Sequence, residues 1–167
     1  MNSTLSIQIA TLKDIDTIGS LARQIWPSNY QDILSADQVR YMMDLFYSNE
    51  SLRKQMKEQQ HVFLIIGDDI APIGFASYSP TAKKGVYKLH KIYVLPGLQG
   101  KGLGKFIVDF IIHKIQPDGA TALQLNVNRY NKARYFYEKL GFKVICEEDV
   151  DIGSNYFMND YVMEKRI

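Results

Sequence analysis

The chain has 167 residues, 46% of them hydrophobic and 23% charged, with a formal net charge of +2. These values fit a soluble globular protein with one sizeable core. Lysines and arginines are dispersed along the sequence, which excludes the massed basic footprint of a nucleic-acid binder. The opening MNSTLSIQIA lacks a charged segment followed by an apolar one, so no signal peptide is expected. The longest clean apolar run, Val62 to Ile66, is too short to span a bilayer. One cysteine, Cys146, cannot close an intrachain disulfide, and a reducing, cytoplasmic setting is expected, with no membrane partner.

Leu5, Ile7 and Ile9 alternate with polar or small residues and predict a first strand. Asp14 opens a helical pattern with Ile15, Ile18, Ala22, Ile25 and Trp26 on one side, which Pro27 is expected to stop. Ser35-Ala36-Asp37-Gln38 fits a capping box ahead of Val39, Met42, Met43 and Phe46 at helical spacing. A further short helix is expected over roughly residues 51–59. HVFLII and IGFASYS read as strands joined by the turn-rich GDDIAP, and GVYKLHKIYV as a longer strand. Leu103, Phe106, Ile107, Phe110 and Ile111 form an amphipathic stripe. TALQLNV is the next strand, followed by a second helical stripe of Ala133, Phe136, Tyr137 and Leu140, with Gly141 suited to the position just past its end. FKVICEE and YFMNDYVMEK close the chain as strands. Cys146 alternates with Phe142 and Val144 and is expected to be buried with them. The order predicts an α/β fold with a mixed sheet and a single domain over residues 1–167.

Between the long strand and the first amphipathic stripe lies LPGLQGKGLGKF, with Gly97, Gly100, Gly102 and Gly104 close together. Such a loop entering a helix N-terminus presents unpaired backbone N–H groups and partial positive charge, and glycines let an anion approach closely. Lys101 and Lys105 add positive charge. The spacing disfavours a P-loop, because Gln99 stands where its first glycine is needed and Phe106 where its Ser/Thr would hold magnesium. It also disfavours a dinucleotide fingerprint, because Lys105 stands at the third glycine position.

Gln99-Gly100-Lys101-Gly102-Leu103-Gly104 instead resembles the Q/R-x-x-G-x-G/A motif of the GNAT superfamily of acyl-CoA-dependent N-acetyltransferases. KIYVLP before it resembles that family's central strand, and YNKARYFYEKLGF its later helix. The resemblance covers essentially the whole chain, most specifically residues 88–142. Within it, IWPSNYQDILSADQVRYMM and MNDYVMEK are similar to the PaiA-type members that act on spermidine and spermine. The resemblance implies a GNAT fold: a mostly antiparallel sheet of about seven strands flanked by helices. It implies acetyl-CoA as cosubstrate, no metal, and a small-molecule amine as acceptor, with a polyamine as the leading guess. A protein or peptide amine, or a CoA-binding module without turnover, are the alternatives. Homodimers are common in the family.

Carried over residue by residue, Gln99, Gly100, Lys101, Gly102, Leu103, Gly104 and Lys105 would hold the coenzyme pyrophosphate. The backbone of Ile92, Tyr93 and Val94 would pair with the pantetheine arm like an added strand. Asn126, Asn131, Ala133 and Tyr137 would complete the coenzyme contacts, although Asn131 stands two residues before Ala133 where the family often has its Asn three before. Acetyl transfer to an amine requires the neutral amine, whereas alkyl ammonium groups have a pKa near ~10.4, so the site must take up a proton. His90, on the strand leading to the acyl site, is the candidate base. The N–H of Val94 is the candidate oxyanion donor. Tyr137, at the family's general-acid position, is the candidate donor to the departing thiolate; from a phenol near ~10 to a thiol near ~8.5 the transfer is uphill by only about 1.5 pKa units. Trp26 and Tyr30 fall where the family's first helices wall the acceptor pocket, and aromatic faces suit a cationic amine. Core packing is the competing reading, favoured for Trp26, and the acidic run Glu147, Glu148, Asp149 and Asp151 could attract a polyamine, although a solvated loop is the more common explanation of such a run.

Overall fold

Strand-period and helix-period segments fall into place along the chain as β1 (Ser6–Ile9), α1 (Ile15–Tyr30), α2 (Ala36–Tyr47), α3 (Asn49–Lys57), β2 (Val62–Gly67), β3 (Pro72–Pro80) and β4 (Val86–Val94). They continue as α4 (Leu103–Ile115), β5 (Ala122–Asn128), α5 (Ala133–Lys139), β6 (Lys143–Gly153) and β7 (Tyr156–Arg166). The structure is a computed structural model and describes residues 3–167. Its strands form a seven-stranded sheet in the order β1-β2-β3-β4-β5-β7-β6. The β4–β5 ladder is parallel, with Lys88 opposite Gln124 and Leu89 opposite Leu125. The β1–β2, β2–β3, β5–β7 and β6–β7 ladders are antiparallel. The mixed, mostly antiparallel sheet expected from the sequence is therefore present.

The chain divides into two units, one comprising the described residues through Ser79 with Lys91–Asp109, the other Pro80–His90 with Phe110–Ile167. In the first unit, α1, α2 and α3 pack on one another. Ile18, Ala22, Ile25 and Leu52 are fully buried there, as are Leu64, Ile66, Phe75 and Ile107. In the second unit Ile111, Leu123, Phe142 and Met163 form the buried interior. Each such side chain contributes about 1.5–3 kcal/mol on leaving water.

Three local expectations change. Pro27 does not stop α1, which runs on to Tyr30. Proline removes one backbone bond, to the Arg23 carbonyl, without ending the helix, and the Ser28 hydroxyl donates to the Ile25 carbonyl at 3.1 Å. Trp26 and Tyr30, one turn apart, also stack with ring centroids 4.5 Å apart. Cys146 is exposed rather than buried. Val144 and Ile145 are exposed with it, at 40% and 51%, because β6 is the last strand of the sheet and buries neither face there. Phe106, placed on the buried stripe of α4, is 39% exposed, while Leu103, Ile107 and Ile111 are buried as expected. Ser35 caps α2 by accepting from the Gln38 N–H, and Gly141 follows α5 at φ 95°.

Candidate active site

The glycine loop leaves β4 and enters α4 at Leu103. Gly97, Gly100 and Gly102 have positive φ, and a Cβ built on any of them would meet nothing within 4 Å. Their space is open rather than filled by packing, so the loop has room for a phosphate group against its backbone, as the chemistry of a helix N-terminus requires. The Gln99 side chain donates to Asn29 Oδ1 at 3.0 Å, tying the loop to the last turn of α1. Lys105 pairs along α4 with Asp109, so part of its charge is already answered, whereas Lys101 is exposed.

Beside Asn29 in sequence, the same unit holds an aromatic cluster drawn from α1, α2, β3 and β4. Trp26 lies 4.5 Å from Tyr30, 5.4 Å from Tyr47 and 5.8 Å from Tyr93, centroid to centroid. Phe75 lies 5.6 Å from Tyr93 and 5.8 Å from Tyr47. Its polar atoms are linked: the Trp26 indole N–H donates to the Tyr47 hydroxyl at 3.1 Å, and the Tyr30 and Tyr93 hydroxyls are 2.9 Å apart. Burial pushes the Tyr47 phenol well above its usual range, with Tyr30 adding to the rise, while hydrogen bonds to Trp26 and Tyr93 oppose it. Trp26 and Tyr30, expected from the sequence beside one another, are joined by Tyr47 and the side chain of Tyr93, which come from distant elements and carry no local sequence signal.

Lys91, two residues before Tyr93, is also buried. Its Nζ donates to Gln55 Oε1 at 2.6 Å and lies 5.4 Å from the Phe63 ring centroid and 5.8 Å from that of Tyr47. Gln55 is aimed by its own amide N–H groups, which donate to the Phe46 carbonyl at 2.8 Å and the Ser51 hydroxyl at 3.0 Å. Loss of hydration on burial lowers the Lys91 amine to about 7. A lysine at a period-two position among Leu89 and Tyr93 was the available sequence signal.

In the second unit, Tyr137 of α5 is 8% exposed and packs against Phe136 and Phe142 at 5.1 and 5.8 Å. His90 is half-buried on β4. The two asparagines are committed locally. Asn131 Oδ1 accepts from the Ala133 N–H at 2.9 Å at the start of α5. Asn126 Nδ2 donates to Glu148 at 2.9 Å and to Asp160 at 3.3 Å. Asp160 is 2% exposed, and burial raises its pKa, with Asn126 pulling it down and Glu148 pushing it up. Of the acidic run, Asp149 and Glu147 lie 2.6 and 3.8 Å from the Arg129 guanidinium, which makes them a surface ion-pair group rather than a loose loop. Among the described residues, no group of three or more His, Cys, Asp or Glu side chains could hold a metal ion, and no helix is long and apolar enough to cross a membrane.

The acetyltransferase (GNAT) domain family model matches residues 31–160. A spermidine N(1)-acetyltransferase of Thermoplasma acidophilum is 29% identical, over 98% of this chain and 98% of its own. The [ribosomal protein bS18]-alanine N-acetyltransferase of Haemophilus influenzae is 27% identical, over 83% of this chain and 88% of its own. The crystal structure of the PaiA N-acetyltransferase from Thermoplasma acidophilum in complex with coenzyme A superposes with a TM-score of 0.81 at 27% identity, covering 98% of this chain and 99% of that one.

Proposed function

Because the chain belongs to the GNAT acetyltransferase family and so is an acetyl-CoA-dependent N-acetyltransferase, we propose that it moves acetyl to the primary amine of a small molecule by direct transfer in a ternary complex. A polyamine is the acceptor suggested by the Thermoplasma relative. The observation that carries the coenzyme side is the open, positive-φ glycine loop running into α4. Its backbone N–H groups, with Lys101, would hold the pyrophosphate, and the edge of β4 at Ile92–Val94 the pantetheine arm. Bound there, the coenzyme supplies an activated acetyl thioester.

The chain's own groups then divide the work. The Val94 N–H stabilises negative charge on the carbonyl oxygen. His90 takes the proton from the amine, directly or through water. Tyr137 holds the proton that the departing thiolate receives. Trp26 and Tyr30 wall the acceptor, and the aromatic cluster they share with Tyr93 supports that reading by offering faces to a cationic amine. Residues 1–167 are read as one catalytic domain, since the family match runs through both units. We read the protein as cytoplasmic and as capable of homodimerisation. A second reading, a protein N-terminal or lysine amine as acceptor, is favoured by the bS18-alanine relative.

The test is release of CoA thiol with a panel of di- and polyamines, amino-acid amides and short peptides. Turnover on spermidine or a related amine at rates well above those on peptides is expected. Turnover on peptides alone would move the assignment to the second reading, and tight acetyl-CoA binding without any thiol release would sink the transferase function. Tyr137→Phe is expected to cut turnover by about 100-fold while leaving CoA affinity within a few-fold; an unchanged rate would remove its role as acid.

A further inference from the structure

The peptide between Tyr93 and Val94 is held from two sides within the first unit. On one side, Gly74 of β3 approaches so closely that a Cβ built there would stand 2.5 Å from the Tyr93 carbonyl oxygen. It would also stand 3.0 Å from Val94 Cγ1 and 3.2 Å from Val94 Cα. No larger residue fits without moving β4 at this point. Immediately beyond, the Leu95 N–H donates to the Ile73 carbonyl at 2.9 Å, so the two strands are locked together across the same step.

On the other side, the Tyr93 side chain is fixed through its hydroxyl. Trp26 can only donate, and it donates to Tyr47. The Tyr47 hydroxyl is buried and has Tyr93 as its other hydrogen-bond partner, and the Tyr93 hydroxyl is also 2.9 Å from that of Tyr30. Tyr93 therefore sits between Tyr47 and Tyr30, with Phe75 and Trp26 against its ring.

We propose that Gly74 and the Tyr93 hydroxyl are positioning residues that together aim the Val94 N–H at the acyl oxygen. This rests on the reading of Val94 as the oxyanion donor. An oxyanion donor acts only when its direction is set before the reaction, and displacement of a reacting group by about 1 Å can lower a rate roughly 100-fold.

The experiment compares Gly74→Ala and Tyr93→Phe with the parent and with Gly67→Ala. Gly67 is a strand glycine whose added Cβ would meet its nearest neighbours at an ordinary 3.4 and 3.5 Å. Three quantities are read: kcat with the best amine of the panel, the Kd for CoA, and the backbone amide 1H and 15N shifts of Val94. CoA lacks the acetyl group, so its Kd reports coenzyme pairing alone. Gly74→Ala is expected to move the Val94 shifts and lower kcat about 30- to 100-fold with Kd changed less than about fivefold. Tyr93→Phe, which keeps the ring and removes only the hydroxyl, is expected to lower kcat about 3- to 10-fold in the same pattern. Gly67→Ala should do neither.

If Gly74→Ala does not fold, Tyr93→Phe decides alone. Unmoved Val94 shifts would overturn the proposal by removing the clamp. Moved shifts with unchanged kcat would overturn it through the oxyanion reading on which it rests. A parallel loss of kcat and CoA affinity would reduce both residues to supports for coenzyme pairing.

Discussion

Replacing Lys91 with methionine should flatten the dependence of stability on pH. The amine is buried, and loss of hydration lowers it from 10.5 to about 7. At about 1.4 kcal/mol per pH unit, that displacement amounts to roughly 5 kcal/mol. The sign follows from proton counts. Between about pH 7 and 10.5 the unfolded chain carries the proton and the folded one does not, so stability rises with pH across that window. Below about pH 7 both states are charged and the full penalty stands. Methionine has no such penalty, so its advantage over lysine is greatest at and below neutrality. That advantage shrinks by up to about 1.4 kcal/mol for each pH unit above it.

The variant also strips Gln55 Oε1 of the donor it now has at 2.6 Å, which costs about 1–3 kcal/mol. This loss does not vary with pH, so it lowers the whole difference without altering its slope. Urea unfolding of both proteins at steps from about pH 6.5 to 9.5 gives the difference directly, and groups common to both cancel. A difference that stays flat across that range would mean the Lys91 amine titrates as an exposed lysine does. The burial argument would then be wrong.

Three further outcomes follow from the same geometry. Gly102→Ala places a side chain in open space at φ +81°, so it should strain the backbone by about 1–2 kcal/mol and weaken CoA binding roughly 5- to 10-fold. An unchanged Kd would separate the loop from the coenzyme. Tyr47→Phe leaves the Trp26 indole N–H, now bonded at 3.1 Å, without its acceptor in a buried site, and should cost about 1–3 kcal/mol in urea unfolding. A loss under about 0.5 kcal/mol would show that water or a rearrangement satisfies it. For Asp160, burial raises the folded pKa, so folding favours the neutral acid and stability falls as pH rises from the unfolded to the folded value. The stability of Asp160→Asn relative to the parent should therefore grow as pH rises above the ordinary aspartate value of ~3.9, and a constant difference on thermal unfolding would contradict the raised pKa.

Local order was readable wherever one periodicity dominated. The stripes of α4 and α5 and the alternation of β1 required only neighbours within a few positions, and the glycine loop announced itself because anion binding at a helix start needs several small residues together. What escaped the sequence was set by contacts between distant segments. Pro27 reads as a stop, yet α1 runs on to Tyr30, with Trp26 stacked on Tyr30 across it. Cys146 follows Phe142 and Val144 in perfect alternation, but β6 is the edge strand, and Val144 and Cys146 alike lie exposed on it.

The site shows the same division more sharply. The loop we assign to the coenzyme is a local pattern and was legible. The proposed acceptor side joins Trp26, Tyr47 and Tyr93 from three elements, and no spacing rule links residues 21 and 46 positions apart. Gly74 is the extreme case. In IGFASYS it reads as a weak point in a strand, since glycine there gives up side-chain packing and backbone order. Only the Tyr93 carbonyl, 2.5 Å from where its Cβ would stand, shows why the position takes no side chain. The proposed chemistry is thus written in the sequence at the coenzyme loop, where one segment suffices, and in the fold at the proposed oxyanion donor, where β3 and β4 must meet.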